Sequence, residues 1–130
     1  MRKKLFALFT VLSLSIACFC GPTKEQFIRT CDSLNIHHAE VVWAQARLES
    51  GNFTSAHFKN RNNCLGIYDS RNKRYALFES WIHCLIAYRD KVQYRCKTPE
   101  CTNEEYIKWL VNIGYASDAS YAEKIKSMMK

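Results

Sequence analysis

A chain of 130 residues that is 48% hydrophobic and 24% charged can build one ordinary domain, and it is too rich in apolar side chains to be disordered or collagen-like. The formal charge is +7, but Arg2, Lys3 and Lys4 run directly into the apolar stretch Leu5 to Ala17, which reads as a secretory signal. Beyond residues 1–20 there remain 16 Lys and Arg against 12 Asp and Glu, a balance of +4; this is too little to argue for nucleic acid as a partner and suits an anionic polymer.

Residues 1–20 are therefore expected to be a signal peptide and residues 21–130 a single exported module, in the periplasm or cell envelope. Ser15-Ile16-Ala17 satisfies a small-x-small cleavage site, while Ala17-Cys18 also resembles the end of a lipoprotein signal. Lipidation of Cys18, with a membrane tether, is the alternative to soluble export. No later stretch approaches the roughly 18 apolar residues of a membrane span.

In chain order, Thr23 and Gln26 form a capping box ahead of Phe27, Ile28, Cys31 and Leu34, which recur at helical spacing and predict a first helix. A second helix runs from about Ala39 through Val41, Val42, Gln45 and Leu48. Gly51 is placed to end it in the left-handed conformation, which puts Glu49 in its last turn. A short helical turn comes next, around Ser55 to Asn60. Leu65 to Asp69 and Arg74 to Phe78 flank the polar Ser70-Arg71-Asn72-Lys73 and predict a small hairpin. Ser80 caps a helix with Trp81, Cys84, Leu85, Tyr88 and Val92 on one stripe. Thr102 and Glu105 form a second capping box before Tyr106, Trp109, Leu110 and Ile113, with Gly114 as terminator; Asp118 then caps a last helix through Tyr121 and Ile125. Four or five helices and one small β-hairpin define an α+β domain in which helices predominate.

Seven cysteines are many for this length, and an exported chain meets an oxidising compartment. Pro99 forces a turn inside Cys96-Lys-Thr-Pro-Glu-Cys101, and a Cys96–Cys101 disulfide is expected there. No metal site is expected, because CxxC pairs are absent and His37 and His38, being adjacent, point apart.

Glu49 carries the chemical interest. At the end of an apolar helix, the dipole and the low-dielectric walls both disfavour its anion and raise its pKa. A carboxyl still protonated near neutrality is what donates to a leaving glycosidic oxygen. The segments Ala44-Gln45-Ala46-Arg47-Leu48-Glu49-Ser50-Gly51, Asn62-Asn63-Cys64-Leu65-Gly66-Ile67 and Gly114-Tyr115-Ala116-Ser117-Asp118-Ala119-Ser120-Tyr121-Ala122 resemble, in order, the AxLESGxG, NNxFGI and GYATDPxYA patterns of the bacterial glucosaminidases of glycoside hydrolase family 73. The likeness covers roughly residues 36 to 126.

The resemblance implies a lysozyme-like fold and cleavage of the β-1,4 bond after N-acetylglucosamine in peptidoglycan glycan strands, without a cofactor. It implies Glu49 as general acid, Tyr115 as the tyrosine bordering the cleavage point, and Asn63 and Tyr121 as residues shaping the substrate cleft. The family often carries a second acid in an extended hairpin; here Asp69 is the sole carboxylate in that short gap, as a water activator or as a capping residue. Without it, the substrate's own N-acetyl group is the alternative nucleophile. Phe53 is a candidate for stacking on a sugar, with a buried turn residue as the alternative reading, and the sequon Asn52-Phe53-Thr54 is read as coincidence. A monomer is expected. A muramidase or lytic transglycosylase on the same fold, and a non-catalytic peptidoglycan-binding protein, are the competing readings.

Overall fold

The computed structural model describes residues 21–130, so the expected signal segment with Cys18 and Cys20 lies outside the described residues. The elements run α1 (Lys24–Ser33), α2 (Ala39–Glu49), α3 (Ala56–Arg61), β1 (Tyr68–Asp69), β2 (Arg74–Tyr75), α4 (Trp81–Lys91), a 3-10 turn (Gln93–Arg95), α5 (Asn103–Asn112) and α6 (Tyr121–Met128). The class is α+β with helices dominant. The expected hairpin is present but contracts to two residues per strand, antiparallel with Tyr68 opposite Tyr75 and Asp69 opposite Arg74. No described helix is long and apolar enough to cross a membrane.

Local chemistry explains most boundaries. Both capping boxes form: the Thr23 and Thr102 side chains accept from the backbone N–H groups of Gln26 and Glu105, whose side chains accept in return from the cap N–H groups. Ser55 and Ser80 cap α3 and α4. Three helices end alike, with a left-handed residue and then one whose N–H reaches back five positions. Ile36 bonds to Cys31 O past Asn35, Asn52 to Arg47 O past Gly51, and Tyr115 to Leu110 O past Gly114. Asp118 holds the backbone N–H of Ser120, the residue that precedes α6, and bonds Lys124; together these hold its carboxyl down at about 2.

Helix α2 is the axis of the molecule, because it is apolar on two sides. Val42 and Ala46 pack with Phe27, Cys31, Phe58, Leu65 and Leu85. Val41 and Ala44 pack with Tyr106, Leu110, Tyr121 and Ile125. Between these two cores runs a buried polar relay: Tyr88 donates to Gln45 Oε1 at 2.6 Å, Gln45 Nε2 donates to the Tyr121 hydroxyl at 2.9 Å, and the Tyr88 and Tyr106 hydroxyls meet at 2.7 Å. Gln93 Nε2 extends it to Tyr106 and His37 O. Among the described residues no buried side-chain N or O lacks a partner, so the relay ties α2, α4, α5 and α6 together with its desolvation cost offset by hydrogen bonds. Replacing Tyr88 by Phe strands Gln45 Oε1 and is expected to cost about 1–3 kcal/mol in urea unfolding; an unchanged midpoint would mean that the relay adds nothing to stability.

Cys31, Cys64 and Cys84 are buried in the first core, and burial pushes the Cys31 thiol up to about 12. The Cys96–Cys101 bridge expected from the sequence is not formed. Both are free thiols, and Cys101 Sγ instead lies 3.7 Å from the His38 ring. That ring is itself fixed between Asn103 Oδ1 and Pro99 O and stacks on Tyr106 at 4.4 Å.

Candidate active site

Glu49 is the last residue of α2, and the turn beyond it holds the side chain in place. Gly51 reverses the chain at φ +56°. Ser50, fully buried, donates to Ala46 O and accepts from the Phe53 N–H at 2.8 Å, closing the turn beneath the acid. His57 contacts the Glu49 carbonyl through Nε2 at 2.8 Å, satisfying one of the carbonyls left over at the helix end.

The carboxyl is covered from the other side by the loop between α3 and β1. A methyl group built on Gly66 would lie 2.8 Å from Glu49 Oε2, so the bare glycine backbone is what allows the loop to close over the acid. Buried Asn63 shapes that loop: it accepts from Ile67 N at 3.0 Å and donates to Ile67 O and Ala76 O at 2.8 and 3.0 Å. Tyr115 comes from the turn after α5. Gly114 at φ +71° lets the backbone reverse, and the Tyr115 hydroxyl donates to Leu65 O at 2.5 Å. Three segments distant in sequence thus meet at one carboxyl.

Glu49 has no ion-pair partner among the described residues; nearby Arg47 is turned to Asn52 and to Met128 O at the end of α6. Burial alone raises the Glu49 pKa above the ordinary glutamate value. Tyr115 is also pushed up, by burial and then by its neighbours Tyr121 and Glu49, so it stays a hydroxyl donor at any ordinary pH. The site is a protonatable carboxyl with a neutral phenol beside it, an arrangement suited to proton donation.

The remaining expected site residues are placed differently. Asn63 is fully buried and Tyr121 is 2% exposed; Asn63 holds the loop, and Tyr121 stacks behind Tyr115 at 5.9 Å while bonding Gln45. Phe53 is 4% exposed, with Trp43 and Phe58 ring centroids at 5.4 and 5.2 Å. It is a core residue, the buried turn residue of the two readings its sequence position allows. Asp69 closes the hairpin: its carboxylate accepts from the N–H groups of Arg71 and Asn72 and from Asn72 Nδ2 at 2.7 Å, which lower its pKa. A cavity of about 660 Å³ lies along the hairpin, lined by Asp69, Arg71, Arg74 and Lys91 among others, and Glu49 is not in its wall. Among the described residues no group of three or more His, Cys, Asp or Glu is placed to hold a metal ion.

His57, Ser50 and Gly66 were not singled out from the sequence. Gly66 had a signal, its fixed place in the Asn62 to Ile67 motif. His57 had none, because its partner is a backbone carbonyl.

A domain built of helices around one acid-bearing helix terminus, with a phenol and a glycine loop closing on the carboxyl, has the form of an acid-assisted hydrolase. Comparison with protein families agrees: the model described as Glucosaminidase, mannosyl-glycoprotein endo-beta-N-acetylglucosaminidase, matches residues 24–130. The chain belongs to this family and is a glycoside hydrolase of the glucosaminidase type. A search of curated proteins gives no match.

Proposed function

We propose that the chain is an exported peptidoglycan hydrolase that cleaves the β-1,4 bond after N-acetylglucosamine, with Glu49 as the general acid. The observation that carries this reading is the Glu49 carboxyl: raised in pKa by burial, without an ion-pair partner among the described residues, and held by the Gly66 loop. Glu49 protonates the leaving glycosidic oxygen as the bond to the anomeric carbon breaks. Tyr115 borders the reacting bond and keeps the Leu65–Gly66 segment against the acid. Asp69 takes no part, since a carboxylate already accepting three hydrogen bonds is a poor base; the substrate's N-acetyl oxygen bonds to the anomeric carbon as the glycosidic bond breaks, water then displaces it and returns a proton to Glu49, and configuration is retained. The basic leader supports delivery to the cell envelope, by soluble export or by a lipid on Cys18, and the enzyme works as a monomer.

The same engagement of Asp69 favours one second reading. An enzyme with no second free carboxylate at the hairpin also suits a lytic transglycosylase or muramidase. Digestion of purified peptidoglycan, borohydride reduction and mass spectrometry separate them. Fragments ending in reduced N-acetylglucosamine are expected; reduced or anhydro-muramic ends would move the enzyme to the second class, and binding without fragments would leave a non-catalytic glycan-binding protein.

A further inference from the structure

The hairpin that lacks a free acid presents aromatic rings instead. Tyr68 and Tyr75 are directly cross-strand partners, and side chains directly opposite share one face of a ladder. Their ring centroids are 6.1 Å apart at 82°, so the two rings form a corner. They are 57% and 43% exposed, so two aromatic rings stand next to each other in solvent. Neither hydroxyl makes a hydrogen bond to a described residue. Asp69 and Arg74, the other cross-strand pair, occupy the alternate face.

The corner is tied to the acid. The His57 ring stacks on Tyr75 at 4.4 Å and 21°, and the same ring's Nε2 holds the Glu49 carbonyl at 2.8 Å. A ring pinned in this way loses little freedom when a ligand arrives. Two rigid aromatic surfaces with free hydroxyls suit a ligand that has both an apolar face and a rim of hydroxyls, which is the form of a pyranose ring.

We propose that Tyr68 and Tyr75 form a glycan-binding subsite that stacks a pyranose ring of an N-acetylhexosamine chain, with His57 as the positioning residue that sets this corner relative to Glu49. The proposal rests on the reading of the protein as a glycan hydrolase and names the surface by which it grips the strand beyond the scissile bond. The short hairpin is then a binding element, and the catalytic proton comes from α2 alone.

The test uses the full chain carrying Glu49→Gln, titrated with a soluble N-acetylglucosamine oligomer by calorimetry, alongside turnover of the Glu49-containing chain on peptidoglycan. Tyr68→Ala should weaken binding on the order of tenfold, and Tyr68→Ala with Tyr75→Ala about a hundredfold, each ring face lost removing stacked area. The loss should fall on KM with kcat at saturation nearly kept, as for a contact made equally in ground and transition states. Tyr75→Phe, which keeps the ring, should restore most of the affinity. Tyr94→Ala, at an exposed tyrosine between α4 and α5, should change neither number. Binding and KM within twofold of the parent in the double variant would overturn the subsite while leaving the hydrolase reading intact. A parent chain that neither binds the oligomer nor cleaves peptidoglycan would overturn both.

Discussion

Glu49→Gln is expected to lower glycan hydrolysis by about 10²- to 10⁴-fold, the range that removing a positioned general acid costs, while glycan binding survives. The amide keeps the shape and hydrogen-bonding capacity of the side chain but has no proton of suitable acidity to give. The pH dependence comes from the direction of the shift. Burial raises the Glu49 pKa, so the acid form persists above the ordinary glutamate range and activity declines as pH climbs through the raised value. Activity level up to pH 9 or so would remove Glu49 from the acid role. Stability carries the same signature. The folded state holds this proton more tightly than the unfolded chain, so the contribution is fully present below the unfolded-chain value and is lost as pH rises through the folded one. Thermal melts of parent and Glu49→Gln should then agree in acid and diverge in favour of the variant at higher pH, and a difference independent of pH would contradict burial as the cause.

Gly66→Ala is expected to damage activity and folding together. The new methyl meets Glu49 Oε2 at 2.8 Å, and the residue sits at φ +65°, where an L side chain is strained. The backbone strain alone costs on the order of 1–3 kcal/mol. To relieve the contact the loop must lift or the carboxyl must turn away, and a displacement of about 1 Å at a reacting group suffices for a hundredfold loss in rate. The two effects separate by measurement. Folded Gly66→Ala protein, quantified by circular dichroism and assayed below its melting temperature, should still be slow per folded molecule. Full specific activity after that correction would mean that the loop does not position the acid. Gly51→Ala makes a useful contrast: its methyl would meet only Thr54 Oγ1 at 3.5 Å, so its strained φ of +56° should lower stability with less effect on the acid.

Much of the fold is legible in the sequence, because its signals are local. Thr23 with Gln26 and Thr102 with Glu105 mark helix starts within four residues, and Gly51 and Gly114 mark helix ends by a conformation that glycine enters freely. The stripe Cys84, Leu85 and Tyr88 identified the buried face of α4 by its period. The place of Glu49 in the last turn, before Ser50-Gly51, is a local fact too, but what sets it apart from other helix-end glutamates in the sequence is the likeness of three motif segments taken in order. The hairpin was overestimated because alternation around a polar turn does not say how many residues pair, and here the chain after Tyr75 turns to bond Ile67 O and Arg61 O. For Phe53 the residue type leaves a sugar-stacking ring and a buried turn residue both open, and it is Trp43 and Phe58 closing over it that make it a core ring.

The sequence by itself determined the helices and the two capping boxes, since each depends on residues within one or two turns of one another, and it pointed to Glu49 through the likeness of three motif segments. Only the tertiary structure decided what makes that glutamate different from a solvated one. Gly66 lies 17 positions from it in the chain, and the Tyr115 hydroxyl reaches Leu65 O across 50. Contacts over such separations leave no periodic trace in the chain, because their cost in loop closure is met by the packing of the whole core. The same holds for Asn63, Tyr121 and Asp69. Their residue types allow either a ligand contact or a structural bond, and it is the folded arrangement that buries the first two and closes a turn on the third.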